Sequence, residues 1–261
     1  MDNKQSNMIM RIVAIAILTC IVQLSVNGQI DAGMIKITGG KFIPLFGSDK
    51  KEVIVNDFYL DKFPVTVGEY LAFTETHGEY KKTKIKRLFA EGSYLYNWKN
   101  DSIPGVSLKL PVTYVSWFAA KEYCECQGKV LPTVDEWEYV GMADELKPDA
   151  RKDSLFTKKI LSWYEKTSDT GKPIGSTFKN YWGIYDMHGL TWEWTLDFNS
   201  VIIAGEGRNK QGDKNIFCGG GSYDASDLSD YAAFMRYAFR SSLKANYTLK
   251  NLGFRCAKPI K

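Results

Sequence analysis

The stretch GIYDMHGLTWEW, residues 183–194, is the most informative segment of the chain. Two carboxylates, Asp186 and Glu193, enclose a short segment that contains Gly189 and Thr191. Trp192 and Trp194 close the stretch, and tryptophans are more often core residues than contact surface. The stretch alone does not specify a function.

Six further blocks flank this stretch, four before it and two after it. They are ITGGKF (37–42), DFYLDKFPVT (57–66), PVTYVSW (111–117), LPTVDEWEY (131–139), GGSY (220–223) and NLGFRC (251–256). Each block alone has an ordinary structural explanation, because glycine pairs permit turns and tryptophans are commonly core residues. All seven blocks in this order resemble the signature of the formylglycine-generating enzyme, or sulfatase-modifying factor, family.

The resemblance implies the fold of that family over residues 29–261. This fold is a single compact α+β domain, distantly similar to a C-type lectin, with much irregular structure. Local patterns agree with a mixed class. Alternating or β-branched residues predict strands at Met34–Ile37 and Val53–Leu60.

Three helix starts carry capping signals. Thr66 with Glu69 and Thr133 with Glu136 form the spacing of a capping box. Ser116 precedes an apolar face of helical period, which is also typical of a helix start.

The resemblance also implies one structural calcium ion at the stretch 183–194. The ligands carried over by position are the side chains of Asp186 and Glu193 and the backbone carbonyls of Gly189 and Thr191. This mixture of carboxylates and carbonyls agrees with the hard oxygen ligands that calcium prefers. The alternative is a loop without metal, in which the two carboxylates cap turns. No other cofactor is expected.

The catalytic cysteines of the family have no counterpart in this chain. In the oxidases of the family, two cysteines after the Gly-Gly-Ser block bind copper(I), which prefers soft thiolates. Here Ala225 occupies the first position, the second falls near Asp230, and no cysteine lies between Cys218 and Cys256. We therefore expect no copper, no formylglycine-generating oxidase activity and no catalytic residue at these positions.

Two functions remain from the sequence. The first is a binding module for a peptide or protein partner in envelope assembly or maturation. The second is a periplasmic maturation enzyme, similar to an oxidoreductase, with relocated catalytic residues. The partner groove that the resemblance implies is lined by Ser222, Tyr223, Asp224, Asp227 and Asp230. An open, aromatic groove would indicate a module, whereas a closed pocket with an acid or base of perturbed pKa would indicate an enzyme.

Residues 1–28 predict a secretory signal. Lys4 and Arg11 precede a short apolar run, and small residues lead to cleavage after Gly28. The alternative is an uncleaved anchor. We expect an exported protein of the periplasm or cell envelope, without a membrane span once the signal is removed. The near balance of 34 Lys and Arg against 30 Asp and Glu argues against a nucleic-acid partner.

Four cysteines remain after residue 28, namely Cys124, Cys126, Cys218 and Cys256. An even number in an exported chain indicates disulfides. The resemblance implies a bridge between Cys124 and Cys256. A soft-metal pair of Cys124 with Cys126 is an alternative, and the sequence leaves open whether Cys126 and Cys218 pair.

Overall fold

The computed structural model describes residues 33–45, 51–103, 105, 107–165, 171–200 and 228–260, with residues 228–230 described in their backbone only. The strands in these ranges are β1 Met34–Ile37, β2 Gly40–Phe42, β3 Val53–Val55, β4 Phe58–Asp61, β5 Trp192–Glu193, β6 Leu252–Gly253 and β7 Ala257–Pro259. The helices are α1 Val67–Thr76, α2 Trp117–Cys126, α3 Val134–Gly141, α4 Ser154–Glu165 and α5 Leu228–Ser241, with a 3-10 turn at Gly78–Tyr80.

The strands form three small sheets. Strands β1, β4 and β7 make an antiparallel sheet with β4 in the centre, and β2 pairs with β3 in an antiparallel ribbon. Strand β5 pairs with β6 in parallel, so that Glu193 lies beside Gly253. This parallel pair joins the stretch 183–194 to the carboxyl-terminal NLGFRC block. The result is the predicted α+β domain with much irregular structure.

The helix starts confirm the predicted caps. The side chain of Thr66 accepts a hydrogen bond from the backbone N–H of Glu69, and that of Thr133 accepts one from Glu136 in the same way. Both glutamates return a bond to the backbone of the capping residue, which completes two capping boxes. Ser116 caps α2 with its hydroxyl. Across the described ranges, we find no helix whose length and apolar character together would let it span a bilayer.

The predicted strand Val53–Leu60 is wrong as a single element. The chain turns at Asn56 and Asp57, and the strands on either side belong to different sheets. Asp57 fixes this turn, because its carboxylate accepts a hydrogen bond from the N–H of Gly39 at 2.8 Å. Val55 and Phe58, on either side of the turn, are both buried. The apolar pattern of the sequence therefore continues across the turn and predicts one strand instead of two.

The predicted disulfide between Cys124 and Cys256 is confirmed. It links α2 to the residue just before β7, and both cysteines are fully buried in the main core. Cys126 is exposed and carries a free thiol. Cys218 lies outside the described residues, so its pairing stays open.

Candidate functional site

Asp186 lies inside the protein and organises a neighbouring loop. Its residue is fully buried, and its backbone has a φ of 59°. One carboxylate oxygen accepts hydrogen bonds from the N–H and the hydroxyl of Thr177, each at 2.9 Å. The other oxygen accepts a bond from the N–H of Gly175. The carboxylate of Asp186 therefore ties residues 175–177 to the stretch 183–194.

Glu193 is the negative partner of a fully buried salt bridge. Its oxygens accept hydrogen bonds from Arg255 at 2.8 Å for Nη2 and 2.8 Å for Nε. The indole N–H of Trp137 adds a third donor at 2.8 Å. The remaining guanidinium nitrogen of Arg255 donates to the carbonyl of Asp61, while Nη2 also donates to that of Tyr185. Glu193 and Arg255 thus connect the stretch 183–194 to Trp137 of α3 and to Asp61 at the end of β4.

A second buried carboxylate, Glu138 of α3, meets two arginines of α5. Arg236 donates to both of its oxygens, with the shortest bond at 2.6 Å from Nη2. Arg240 donates from Nη1 at 2.6 Å. Burial by itself raises the pKa of Glu138, but the two guanidinium groups prevail and lower it to about 2. Glu138 is therefore ionised and locked to α5.

His188 is buried and neutral. Its Nε2 lies 2.7 Å from the carbonyl oxygen of Gly141, so this nitrogen must carry the proton and donate. Its Nδ1 then accepts from the hydroxyl of Tyr164, at 3.3 Å. Burial, with a smaller effect of Arg236, lowers the pKa of His188 to about 3. The imidazole is thus a structural link between α3, α4 and the stretch 183–194.

These groups enclose a cavity of about 40 Å³. Its lining consists of Trp137, Trp163, Tyr164, Met187, His188, Gly189, Leu190, Thr191, Trp192, Glu193 and Arg240. Trp192 is stacked between Tyr164 and Phe239, with ring centroids 4.8 and 4.4 Å away. Trp163, Tyr164 and Trp192 are partly exposed, so the cavity reaches solvent between aromatic side chains.

The sequence of this domain matches a known protein family. The profile described as "Sulfatase-modifying factor enzyme 1-like domain" matches residues 25–260. The chain belongs to the sulfatase-modifying factor family. It is 29% identical to the formylglycine-generating enzyme of Mus musculus, over 79% of this chain and 67% of that enzyme. It is 27% identical to the inactive C-alpha-formylglycine-generating enzyme 2 of Mus musculus, over 87% of this chain and 86% of that protein.

Two solved structures also match the chain over most of its length. PvdO from Pseudomonas aeruginosa is 17% identical, with a TM-score of 0.46, over 87% of this chain and 94% of PvdO. CarF is 19% identical, with a TM-score of 0.49, over 87% of this chain and 98% of CarF.

The four ligands that the family resemblance implies for calcium do not fit that ion as they are arranged here. Each oxygen of Glu193 already accepts two hydrogen bonds, from Arg255 and Trp137. Arg240 lines the same cavity as Gly189, Thr191 and Glu193, and its positive charge repels a dication. Calcium binding stays a prediction for experiment.

The predicted partner groove lies largely outside the described residues. Ser222, Tyr223, Asp224 and Asp227 fall in the range that the structure leaves undescribed, and only the backbone of Asp230 is described. Glu138, Arg236 and Arg240 are site residues that were not predicted from the sequence. Their signal is the spacing of the two arginines, which are four positions apart and therefore share one face of a helix.

Proposed function

We propose that this chain is a non-catalytic member of the sulfatase-modifying factor family that binds a polypeptide partner during assembly or maturation in the cell envelope. One observation carries the proposal: the charged and acid–base side chains that line the cavity are already held by other parts of the protein. Glu193 is held by Arg255, His188 by Gly141 and Tyr164, and Arg240 by Glu138.

Catalysis by an acid or base needs a group whose proton can move at the working pH. Glu193 is locked in a salt bridge without solvent exposure. His188 binds a proton only near pH 3, because its pKa is lowered to about 3. Neither group is suited to proton transfer near neutral pH, which favours binding over catalysis.

The cysteines support the same conclusion. Oxidation by oxygen at a copper(I) site would need two thiolates within reach of one ion. Cys124 and Cys256 are joined in a disulfide, and the exposed Cys126 makes its contact with His77, away from the cavity lining. Position 225 is alanine. The inactive C-alpha-formylglycine-generating enzyme 2 of Mus musculus is a relative whose name records a loss of that activity.

A polypeptide is the ligand that the cavity entrance favours. Trp163, Tyr164 and Trp192 present partly exposed aromatic surface, and such residues are enriched where proteins bind one another. The secretory pattern in residues 1–28 supports an envelope location, where this partner would be met.

The test is site-specific cross-linking in living cells of the source organism. A benzophenone amino acid replaces Trp163 at the cavity entrance, and Leu155 on the same helix serves as the control position. Leu155 is 75% exposed and does not line the cavity. We expect a discrete polypeptide adduct from position 163 and none from position 155. Equal labelling at both positions, or no adduct at position 163, would reject the proposal.

A further inference from the structure

The positive charge of the chain is concentrated in one surface segment, residues 81–101. This segment contains six Lys and Arg residues against two acidic residues, Glu91 and Asp101. The whole chain contains 34 Lys and Arg against 30 Asp and Glu, so the remainder is balanced at 28 of each. Five of the six basic residues lie in the run KKTKIKR at 81–87. A local excess of this kind attracts an anionic surface.

Hydrogen bonds hold this segment in a defined shape. The ammonium group of Lys82 donates to the backbone carbonyls of Tyr96 and Trp98, at 3.2 and 2.5 Å. The carboxylate of Asp101 accepts bonds from the N–H and the hydroxyl of Thr83, at 3.0 and 2.7 Å. The two halves of the segment therefore lie side by side, and the basic run is fixed on the protein surface.

Three basic side chains of the run are available to a ligand. Lys84, Lys86 and Arg87 are all exposed. Within the described ranges, none of the three forms a salt bridge with a carboxylate. Their charges are therefore presented to solvent on a preformed surface.

An exposed leucine lies at the corner of this basic turn. The N–H groups of Phe89 and Ala90 both donate to the carbonyl of Lys86, at 2.9 and 3.2 Å, and this closes a turn that contains Leu88. Phe89 packs inward on Phe118, with ring centroids 5.5 Å apart, and Ala90 is fully buried. Leu88 is 74% exposed. The turn is thus anchored on its inner side and presents Leu88 outward among cations.

The combination of cations with exposed apolar side chains favours a bilayer surface over other anionic partners. Tyr96, whose carbonyl is bound by Lys82, is also 68% exposed. A soluble polyanion attracts the cations but offers no apolar layer to Leu88. The surface of an anionic bilayer offers phosphate headgroups to lysine and arginine and an acyl boundary to leucine. Tyrosine is suited to the same boundary, since its ring is apolar and its hydroxyl is polar.

We propose that residues 81–101 dock this protein on the surface of a bilayer that contains anionic phospholipids. Lys84, Lys86 and Arg87 contact the headgroups, and Leu88 inserts between them. This surface shares no residue with the aromatic cavity lined by Trp163, so it goes beyond the polypeptide binding proposed above and does not depend on it.

Co-sedimentation of the full chain with lipid vesicles measures this docking. The vesicles consist of phosphatidylcholine alone or of phosphatidylcholine mixed with phosphatidylglycerol, which is anionic. We expect saturable binding to the mixed vesicles, much weaker binding to the neutral ones, and a decline at higher ionic strength, because salt screens exposed charges. Every variant keeps residues 1–32, so any binding by that part of the chain is common to all of them.

A charge variant tests the contribution of the cations. Lys84, Lys86 and Arg87 are replaced together by glutamine, which should weaken binding to the mixed vesicles at least tenfold. The control removes the same number of charges from exposed lysines outside the segment, namely Lys147, Lys152 and Lys158. An equal loss of binding in both triple variants would overturn the proposed surface, because net charge alone would then account for the attraction.

A leucine variant separates a bilayer from a soluble polyanion. Leu88→Ser removes the apolar side chain and should weaken binding about threefold or more, because less apolar area leaves water. Leu155→Ser is the matched control, since Leu155 is 75% exposed and lies outside the segment. Both replacements are at exposed positions, so the fold is kept.

Two further results would contradict membrane docking. Equal binding to neutral and mixed vesicles would show that the basic residues do not select an anionic surface. Equal binding by Leu88→Ser and Leu155→Ser would show that Leu88 does not enter the bilayer, and would indicate a soluble polyanion as the partner of the cations instead.

Discussion

Arg255 and Glu193 form a salt bridge in which neither side chain has any solvent exposure, with Nη2 and Oε1 2.8 Å apart. The pair lies beside the parallel contact of β5 with β6 and binds the carbonyls of Asp61 and Tyr185 as well. A buried pair of this kind stabilises the fold only while both partners are present, because either charge alone is costly in the interior.

Arg255→Gln should therefore lower the free energy of unfolding by about 3–5 kcal/mol, measured by urea denaturation. Adding Glu193→Gln to that variant should restore part of the loss, because no unpaired charge remains. Lys41→Gln breaks a surface pair with Glu52 and serves as the control, with little expected change. A single variant at Arg255 that is as stable as the control would contradict this account of the core.

The stability of the protein should fall as the pH drops below neutral. The pKa of His188 is lowered from 6.5 to about 3, so between these values the unfolded chain binds a proton that the folded protein excludes. Stability from this group is complete above pH 6.5 and declines toward pH 3, by at most about 1.4 kcal/mol per pH unit. Glu138, lowered from 4.5 to about 2, adds a further loss below pH 4.5.

The measurement is a series of urea unfolding curves from pH 8 to pH 4. His188→Gln should flatten the decline between pH 6.5 and 4.5, since an amide keeps a donor and an acceptor but binds no proton. The same replacement at the half-buried His77 controls for the loss of a histidine. An unchanged slope in His188→Gln would show that burial of the neutral imidazole does not set the pH dependence.

The disulfide should make a large contribution to stability. Cys124 and Cys256 are 132 positions apart, and closing a loop of that length stabilises a fold by about 5 kcal/mol in the chain-entropy account. Replacing both by alanine should lower the unfolding free energy by about that amount. Cys126→Ser removes the exposed thiol and should leave it unchanged. Equal stability of the double variant and the wild type would rule out a stabilising bridge.

Calcium should not change the melting temperature if the described arrangement holds. Glu193 is already neutralised by Arg255, and an ion that binds only the folded state would have to displace that pair to raise stability. Melting curves with chelator and with millimolar calcium decide between the two views. A calcium-dependent rise that Asp186→Asn or Glu193→Gln abolishes would support the metal site that the family resemblance implies.

The helix starts, the α+β class and the disulfide were predictable because local spacing or the family pattern determines them. Thr66 and Thr133 cap helices through residues three positions away, so the signal is contained in the sequence. The partners of Asp186 and Glu193 were not predictable in this way. Arg255 is 62 positions from Glu193, and a loop pattern alone does not specify whether a carboxylate meets a cation of the protein or a metal.

Two helices were missed for different reasons. In α4, Phe156 and Ile160 are four positions apart and buried, which is a helical signal that the sequence analysis passed over. In α5, Arg236 and Arg240 occupy positions that are usually apolar in a core helix. Both arginines can be buried because the carboxylate of Glu138 pairs with them. Glu138 lies about a hundred positions earlier in the chain, so a local sequence pattern does not reveal this pairing.

The most direct test of the central claim, that this family member is not an oxidase, is an activity measurement on the purified protein. The protein is incubated with copper(I), oxygen and a peptide that carries the sulfatase motif, and the cysteine of the peptide is followed by mass spectrometry. We predict that the thiol persists at the level of a control without protein, because Ala225 removes one of the two soft ligands that copper(I) needs. Conversion of the thiol to the aldehyde above that control would contradict the account and place the chain among the active oxidases.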